Sequence, residues 1–326
     1  PPRSTPKPSS AASDVYKRQT NVGSRASSYP IASDSMASKF IQWNNKELLE
    51  DLDNPVVIAA FEGWNDAGEA ATTAVRYFLD RFNAVKIGTI DSEEFFDFTI
   101  SRPVIEIPDE QREIIWPATE TYIAKMSDSK HDLVIIVGHE PQLRWRTFTE
   151  QIIEVASISN SHMVVTVGSL LTDIPHSRPV KVFGSSDDSD LAQRLNLPPS
   201  TYEGPTGIVG VINSVLREEG MPSMSLWAGI PSYVSGANSP KAALALVERL
   251  AEVLQIGIAC TDLEIASAAY ERQINELVAE DMDTAEYVNQ LEEDFDNKSE
   301  VEEQDGNPEL LVSEVEDFLR NQTGQT

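Results

Sequence analysis

The chain has 326 residues, with 53 Asp or Glu against 25 Lys or Arg and a formal net charge of −28. That balance excludes a basic nucleic-acid groove as the default reading, and no apolar stretch approaches the roughly 18–20 residues of a membrane span. Apolar residues make up 40% of the chain, enough for one large domain or two small ones, and the single cysteine, Cys260, permits no internal disulfide, which fits a reducing cytoplasm.

Residues 1–35 are rich in Pro, Ser and Ala, carry 5 basic and 2 acidic residues, and lack an apolar run. They are expected to be disordered. Ser13–Gln19 (SDVYKRQ) reads as a translated sequencing-adapter remnant, so the native start is expected at Met36 and residues 1–35 as a leader foreign to the protein. The core domain is expected over 36–258. Pro55–Glu62 (PVVIAAFE) is a short continuous apolar run, as in a strand buried on both faces. Gly63–Asp66 then leads into a helix through about Phe82, with Asp66 as N-cap and Glu69 completing a variant capping box. Val85–Ile90 is the next strand, and residues 93–116 read as a strand or hairpin excursion around Pro103 and Pro108.

Further strands are expected at Asp132–Val137, Met163–Val167, Val180–Phe183 and Ser225–Ala228, separated by helices near Arg144–Ser157, Thr206–Glu219 and Pro240–Leu254. This alternation argues for an α/β three-layer domain. After Gly257 the composition turns acidic: residues 262–320 hold 20 acidic and 3 basic side chains. A helical hairpin is expected over 259–295, opened by the capping box Thr261–Glu264 and packed on the body or on a neighbouring subunit. Residues 296–326 read as an acidic linker followed by a short amphipathic helix after Asn307-Pro308.

Polar residues gather after the expected strands, where α/β folds place their ligand crevices. The candidate crevice residues are Trp64, Asn65, Asp66, His139, Glu140, Asp173, His176, Gly204, Thr206 and Tyr233. His139, Glu140, Asp173 and His176 are of suitable type for a divalent metal or an acid/base pair, but His139-Glu140 lacks a second His four residues on, where Leu143 stands. No G-x-S-x-G elbow and no dinucleotide or phosphate-loop fingerprint is present. No catalytic residue, metal or cofactor is therefore assigned. The turn Gly204–Gly207 either presents N–H groups to a phosphate or is simply capped by Thr206. Cys260 reads as a buried structural thiol.

Six segments, in order, carry a resemblance: Pro55–Ala71 (PVVIAAFEGWNDAGEAA), Phe95–Pro103 (FFDFTISRP), Val137–Pro141 (VGHEP), Val167–Val180 with its VGSLLTDIPHSRPV run, Glu203–Ile212 (EGPTGIVGVI) and Leu226–Val234 (LWAGIPSYV). From about Phe40 to Phe295 the chain resembles the proteasome assembly chaperone 2 family, its actinobacterial-type members in particular. The resemblance implies an α/β/α sandwich similar to the purine nucleoside phosphorylase/hydrolase fold. It also implies a homo-oligomer, with a trimer favoured by fold analogy, and a non-enzymatic assembly-chaperone or scaffold role with a protein partner such as proteasome subunits. The terminal Gly324-Gln325-Thr326 lacks the hydrophobic-Tyr-any tripeptide of some archaeal relatives. The alternative is a small-molecule-binding protein, or a hydrolase- or phosphorylase-like enzyme, acting on a nucleoside-like or anionic ligand. Fold alone does not choose between them.

Overall fold

The computed structural model describes residues 37–195, 197–200, 202–234 and 236–305; the leader 1–35 and the terminal helix expected after Pro308 lie outside the described residues. In chain order the elements are β1 (Ile41–Trp43), β2 (Val56–Glu62), α1 (Ala70–Arg81), β3 (Val85–Ile90), α2 (Ser92–Phe95), β4 (Val104–Glu106), β5 (Glu113–Ile115), β6 (Thr119–Ala124), β7 (Leu133–His139), α3 (Trp145–Ile158), β8 (Met163–Thr172), β9 (Val182–Ser185), α4 (Ser189–Leu195), α5 (Ile208–Glu218), β10 (Ser223–Pro231), α6 (Pro240–Leu254), α7 (Thr261–Ala279) and α8 (Met282–Asp305). Eight strands form one sheet in the order β1-β3-β6-β7-β2-β8-β10-β9. The four central strands β7, β2, β8 and β10 are parallel, while β1, β3, β6 and β9 pair antiparallel at the flanks.

The period-2 geometry of a strand splits the apolar runs into two cores. Along β2, Val56, Ile58 and Ala60 face α1 and α6, where Ala74, Phe78, Leu246 and Leu250 meet them. Val57, Ala59 and Phe61 face the other way, onto Phe148, Ile152, Ile208 and Ile212 of α3 and α5. The result is the expected α/β/α sandwich. Ile58 and Phe61 are fully buried, so truncating either to Ala costs about 2–5 kcal/mol.

Several elements differ from the sequence expectation. Strand β6 was not expected, because its inward face carries Thr119 and Thr121 beside Ile123, which erases the apolar alternation. The segment 93–116 holds α2 and then a two-stranded ribbon, β4–β5, that pairs only with itself. Asp66 does cap α1, but across an intervening turn with Gly68 at φ 59° and Glu69 at φ 50°, so Glu69 does not complete a capping box. Helix α7 begins at Thr261 itself, with Cys260 in the capping position and no side-chain cap. Helix α8 continues to Asp305, through the first residues of the expected linker. The hairpin α7–α8 packs on α6 through Leu263, Tyr270 and Ile274, with Val288 and Leu291 buried along α8. Cys260 is buried at its start.

Candidate functional site

The chain direction changes face at the carboxyl end of β2: the segment after β2 enters α1 on one side of the sheet, and that after β7 enters α3 on the other. This is where a parallel sheet opens a crevice. Here the crevice is filled by side chains that close helix ends. The Asp66 carboxylate accepts from Ala71 N–H (2.7 Å), Thr72 N–H (3.2 Å) and the Thr72 hydroxyl, and Ser169 is stitched to the same turn, its N–H donating to Asn65 O (2.8 Å) and its hydroxyl to Ala67 O (2.8 Å). Burial pushes the Asp66 carboxyl upward despite these donors.

Glu140 performs the same task on the opposite face. Its Oε1 accepts from Asn65 Nδ2 (2.6 Å) and from the N–H of Ile208 (2.8 Å), the first residue of α5. An intramolecular carboxylate therefore occupies the anion position at the α5 N-terminus. Thr206 does not cap that helix; its hydroxyl lies 3.4 Å from Gly207 O. Gly207 is required by close approach, since a Cβ there would sit 2.4–2.5 Å from the Asn65 amide. Asn65 is 1% exposed and its Oδ1 has no hydrogen-bond partner. Turning the amide over would set that oxygen against the Glu140 carboxylate, so the orientation is fixed by Glu140.

His139 ends β7 at the sheet rim. Its Nδ1–H donates to Glu62 (2.6 Å), which also pairs with Arg76. The His139 hydrogen bond, more than Arg76, holds the Glu62 carboxyl down at about 2.

His176, Asp173 and Tyr233 lie elsewhere, under the helical hairpin. The His176 N–H donates to the Tyr233 oxygen (2.7 Å), leaving the phenol proton for His176 Nδ1 (2.7 Å), and Nε2–H donates to Asn275 Oδ1 (3.0 Å) on α7. This assigns a neutral imidazole with its proton on Nε2, in keeping with burial lowering its pKa. Burial likewise pushes Tyr233 up to about 12. Lys241 donates to His176 O (2.6 Å) and pairs with Glu271, while Asp173 accepts from Ser232 (2.8 Å) and Tyr287 (3.3 Å).

The ten candidates therefore do not share one crevice. Trp64, Asn65, Gly204 and Thr206 line a cavity of about 410 Å³ between α5 and the β9–β10 edge, together with Phe183, Tyr202, Asn213, Arg217 and Trp227. Asp66, His139 and Glu140 stand behind or beside it, and Asp173, His176 and Tyr233 join the hairpin to the body. Phe183, Asn213 and Arg217 were not singled out from the sequence; as polar or aromatic residues on a helix and an edge strand they carry no local signal. Arg217 pairs with Asp187 (3.3 Å) at the cavity mouth. Among the described residues no three His, Cys, Asp or Glu side chains are grouped to hold a metal ion, and no helix is long and apolar enough to cross a membrane.

The chain matches the PAC2 family over residues 60–278. Among solved structures it is similar to a PAC2 family protein from Streptomyces avermitilis at 39% identity, covering 72% of this chain and 99% of that one with a TM-score of 0.68. It is similar at 42% identity, over 72% of this chain and 99% of the other, to a Mycobacterium tuberculosis proteasome-assembly chaperone homologue, with a TM-score of 0.65. An archaeal proteasome activator from Pyrococcus furiosus shares the fold at 17% identity and a TM-score of 0.57, over 70% of this chain and 94% of that one. No curated protein matches the chain significantly.

Proposed function

Because the chain belongs to the PAC2 family, we propose that it is an assembly chaperone or scaffold: a non-enzymatic homo-oligomer of the reducing cytoplasm that binds a protein partner, with proteasome subunits the leading candidate class. The observation that carries this reading is the 42% identity, over almost the whole of that chain, to the mycobacterial proteasome-assembly chaperone homologue. The site geometry is in keeping with it: Asp66 and Glu140, two acids at the crevice, are engaged with helix N–H groups rather than open to a substrate. In this scheme residues 36–258 form the partner-binding body and 259–295 a hairpin docked on it. The test is to add the purified chain to separated proteasome α and β subunits and follow assembly on native gels. Comigration with partly assembled subunits, or a changed assembly rate, is expected; the absence of both sinks the proposal.

One observation favours a second reading, a small-molecule site. The cavity lies within the roughly 300–1,000 Å³ of ligand pockets, has walls of Trp64, Phe183, Tyr202 and Trp227, and adjoins the unpartnered Asn65 Oδ1. Its charged lining residues, Asp187 and Arg217, pair with each other, so the chemistry suits a neutral, aromatic, hydrogen-donating ligand such as a nucleoside better than an anion. A thermal-shift series with nucleosides and with phosphate separates these: no shift with either removes the second reading.

A further inference from the structure

The β4–β5 ribbon stands apart from the two cores. Every residue from 104 to 116 is exposed, and its strands pair only with each other, so both outer edges are open. Its composition contradicts that exposure. Val104, Ile105, Ile107, Ile114, Ile115 and Trp116 are 43–68% exposed, and with on the order of 150 Å² per large apolar side chain they present roughly 500 Å² of apolar surface. That is the size of the largest apolar patch on a typical monomer, about 300–600 Å², a patch that is often an interaction site.

The register shows how that surface is divided. Val104 pairs with Ile115 and Ile105 with Ile114, so successive apolar pairs alternate between the two faces of the ribbon. The next pair is Glu106 opposite Glu113, two like charges in direct register, an arrangement that destabilises an isolated hairpin. No intramolecular ion pair or side-chain hydrogen bond relieves these two carboxylates among the described residues, and Arg102 and Arg112 of the same excursion are likewise without such a partner. The turn adds a third mark of an element not optimised to stand alone: Asp109 and Glu110 both have positive φ (49° and 65°), closed by Gln111 N–H to Pro108 O (2.8 Å), in the turn type that Asn-Gly fits best.

We propose that this ribbon is the self-association element of the protein, and that its occupant is a second copy of the same chain. The ribbon carries both halves of the charge complementarity, two free guanidiniums and the Glu106–Glu113 pair, so copies can satisfy one another without a foreign partner. A permanently exposed aliphatic ribbon also needs a cover present whenever the chain is present, and only another copy meets that condition. Two apolar faces are both covered when each ribbon lies between two neighbours, which a ring of three or more copies provides and a two-fold dimer does not. This inference rests on the self-association in the reading above and gives it a location.

The test compares the wild-type chain with I105K/I114K, V104K/I115K and I265K by native mass spectrometry at 10 micromolar protomer, with circular dichroism to check folding. Ile265 is an exposed aliphatic residue on α7 and serves as a control. The wild type and I265K are expected as particles of three or more copies, and each ribbon variant as a folded 36.0 kDa monomer. A monomeric or dimeric wild type, or ribbon variants that keep the wild-type mass, overturns the inference. The outcome is separable from the chaperone reading: a monomer that still acts on proteasome subunits removes only this inference, whereas a ribbon-dependent ring inert toward those subunits removes only the partner.

Discussion

Glu140→Ala is the most informative single substitution at the crevice, because one oxygen of Glu140 serves two donors, Asn65 Nδ2 and the Ile208 N–H. Asn65 Nδ2, on a side chain that is almost wholly buried, loses its acceptor at 2.6 Å, and the first N–H of α5 loses its acceptor at 2.8 Å. Hydrogen bonds to a charged group contribute about 1.5–3 kcal/mol each, and a carboxylate at a helix N-terminus adds about 0.3–1 kcal/mol. Water partly replaces the lost acceptor because Glu140 itself is half-buried. The expected loss is therefore about 3–5 kcal/mol, a large part of the ~5–15 kcal/mol that holds a typical domain. Glu140→Gln keeps an acceptor oxygen without the charge and is expected to cost about 1–2 kcal/mol. Urea unfolding followed by tryptophan fluorescence, at one fixed protomer concentration so that association does not enter the comparison, reads both values from the midpoint and slope. A Glu140→Ala variant within about 0.5 kcal/mol of wild type, or a Gln variant as unstable as the Ala variant, would refute the claim that this carboxylate closes α5.

Three further predictions concern the strand-end residues, at the crevice and under the hairpin. Gly207→Ala places a Cβ within 2.5 Å of the Asn65 amide and is expected to cost about 1–3 kcal/mol and to displace Asn65, seen as a shift of its side-chain amide signals by NMR. The Glu62 carboxyl is held at about 2 in the folded chain against 4.5 as its ordinary value, so its stabilising contribution is present above pH 4.5 and is lost as the pH falls toward 2. Glu62→Gln should flatten that acid limb in thermal melts taken from pH 6 to pH 2. The raised Asp66 carboxyl has the opposite sign, its contribution lost as pH rises, so Asp66→Asn should not flatten the limb. Tyr233→Phe removes the oxygen that accepts from His176 N–H and the proton given to Nδ1; a loss of about 1–2 kcal/mol and a His176 ring free to change tautomer, read from its nitrogen chemical shifts, are expected.

What the sequence made legible follows from the range of each physical signal. Strands buried on both faces, such as Val56–Glu62 and Leu133–His139, are continuous apolar runs and stand out locally. Strand β6 buries Thr119 and Thr121, so its pattern reads as polar although it lies inside the sheet, paired on both sides by β3 and β7. Caps show the same limit. Asp66 is visible because it lies five residues from the N–H it serves, whereas Glu140 serves Ile208 across 68 residues and His176 meets Asn275 across 99. No periodicity reports such contacts. The candidate site was legible as a set of strand-end polar residues, but its division into a cavity wall, two helix caps and a hairpin joint depends on which helix end each carboxylate reaches.

The helical hairpin poses the sharpest energetic question, since an acid-rich segment packs on an acid-rich body. Three body cations meet it along its length: Arg81 pairs with Asp262, Lys241 with Glu271, and Arg178 with Glu292 and Asp296. Exposed ion pairs contribute little and fade as salt shortens the screening length. The apolar seam of Leu263, Tyr270, Ile274, Val288 and Leu291 is buried instead, and such side chains contribute about 1.5–3 kcal/mol each when fully covered. The seam therefore supplies the docking energy, while the cations fix the register and offset repulsion. Ile274→Ala should accordingly raise amide hydrogen exchange throughout α7 and α8 at any ionic strength. Arg178→Ala should raise it only near Glu292 and Asp296, by an amount that shrinks between 0.05 and 1 M salt. If Arg178→Ala instead releases the whole hairpin while Ile274→Ala leaves its protection intact, charge rather than the apolar seam holds the two helices down.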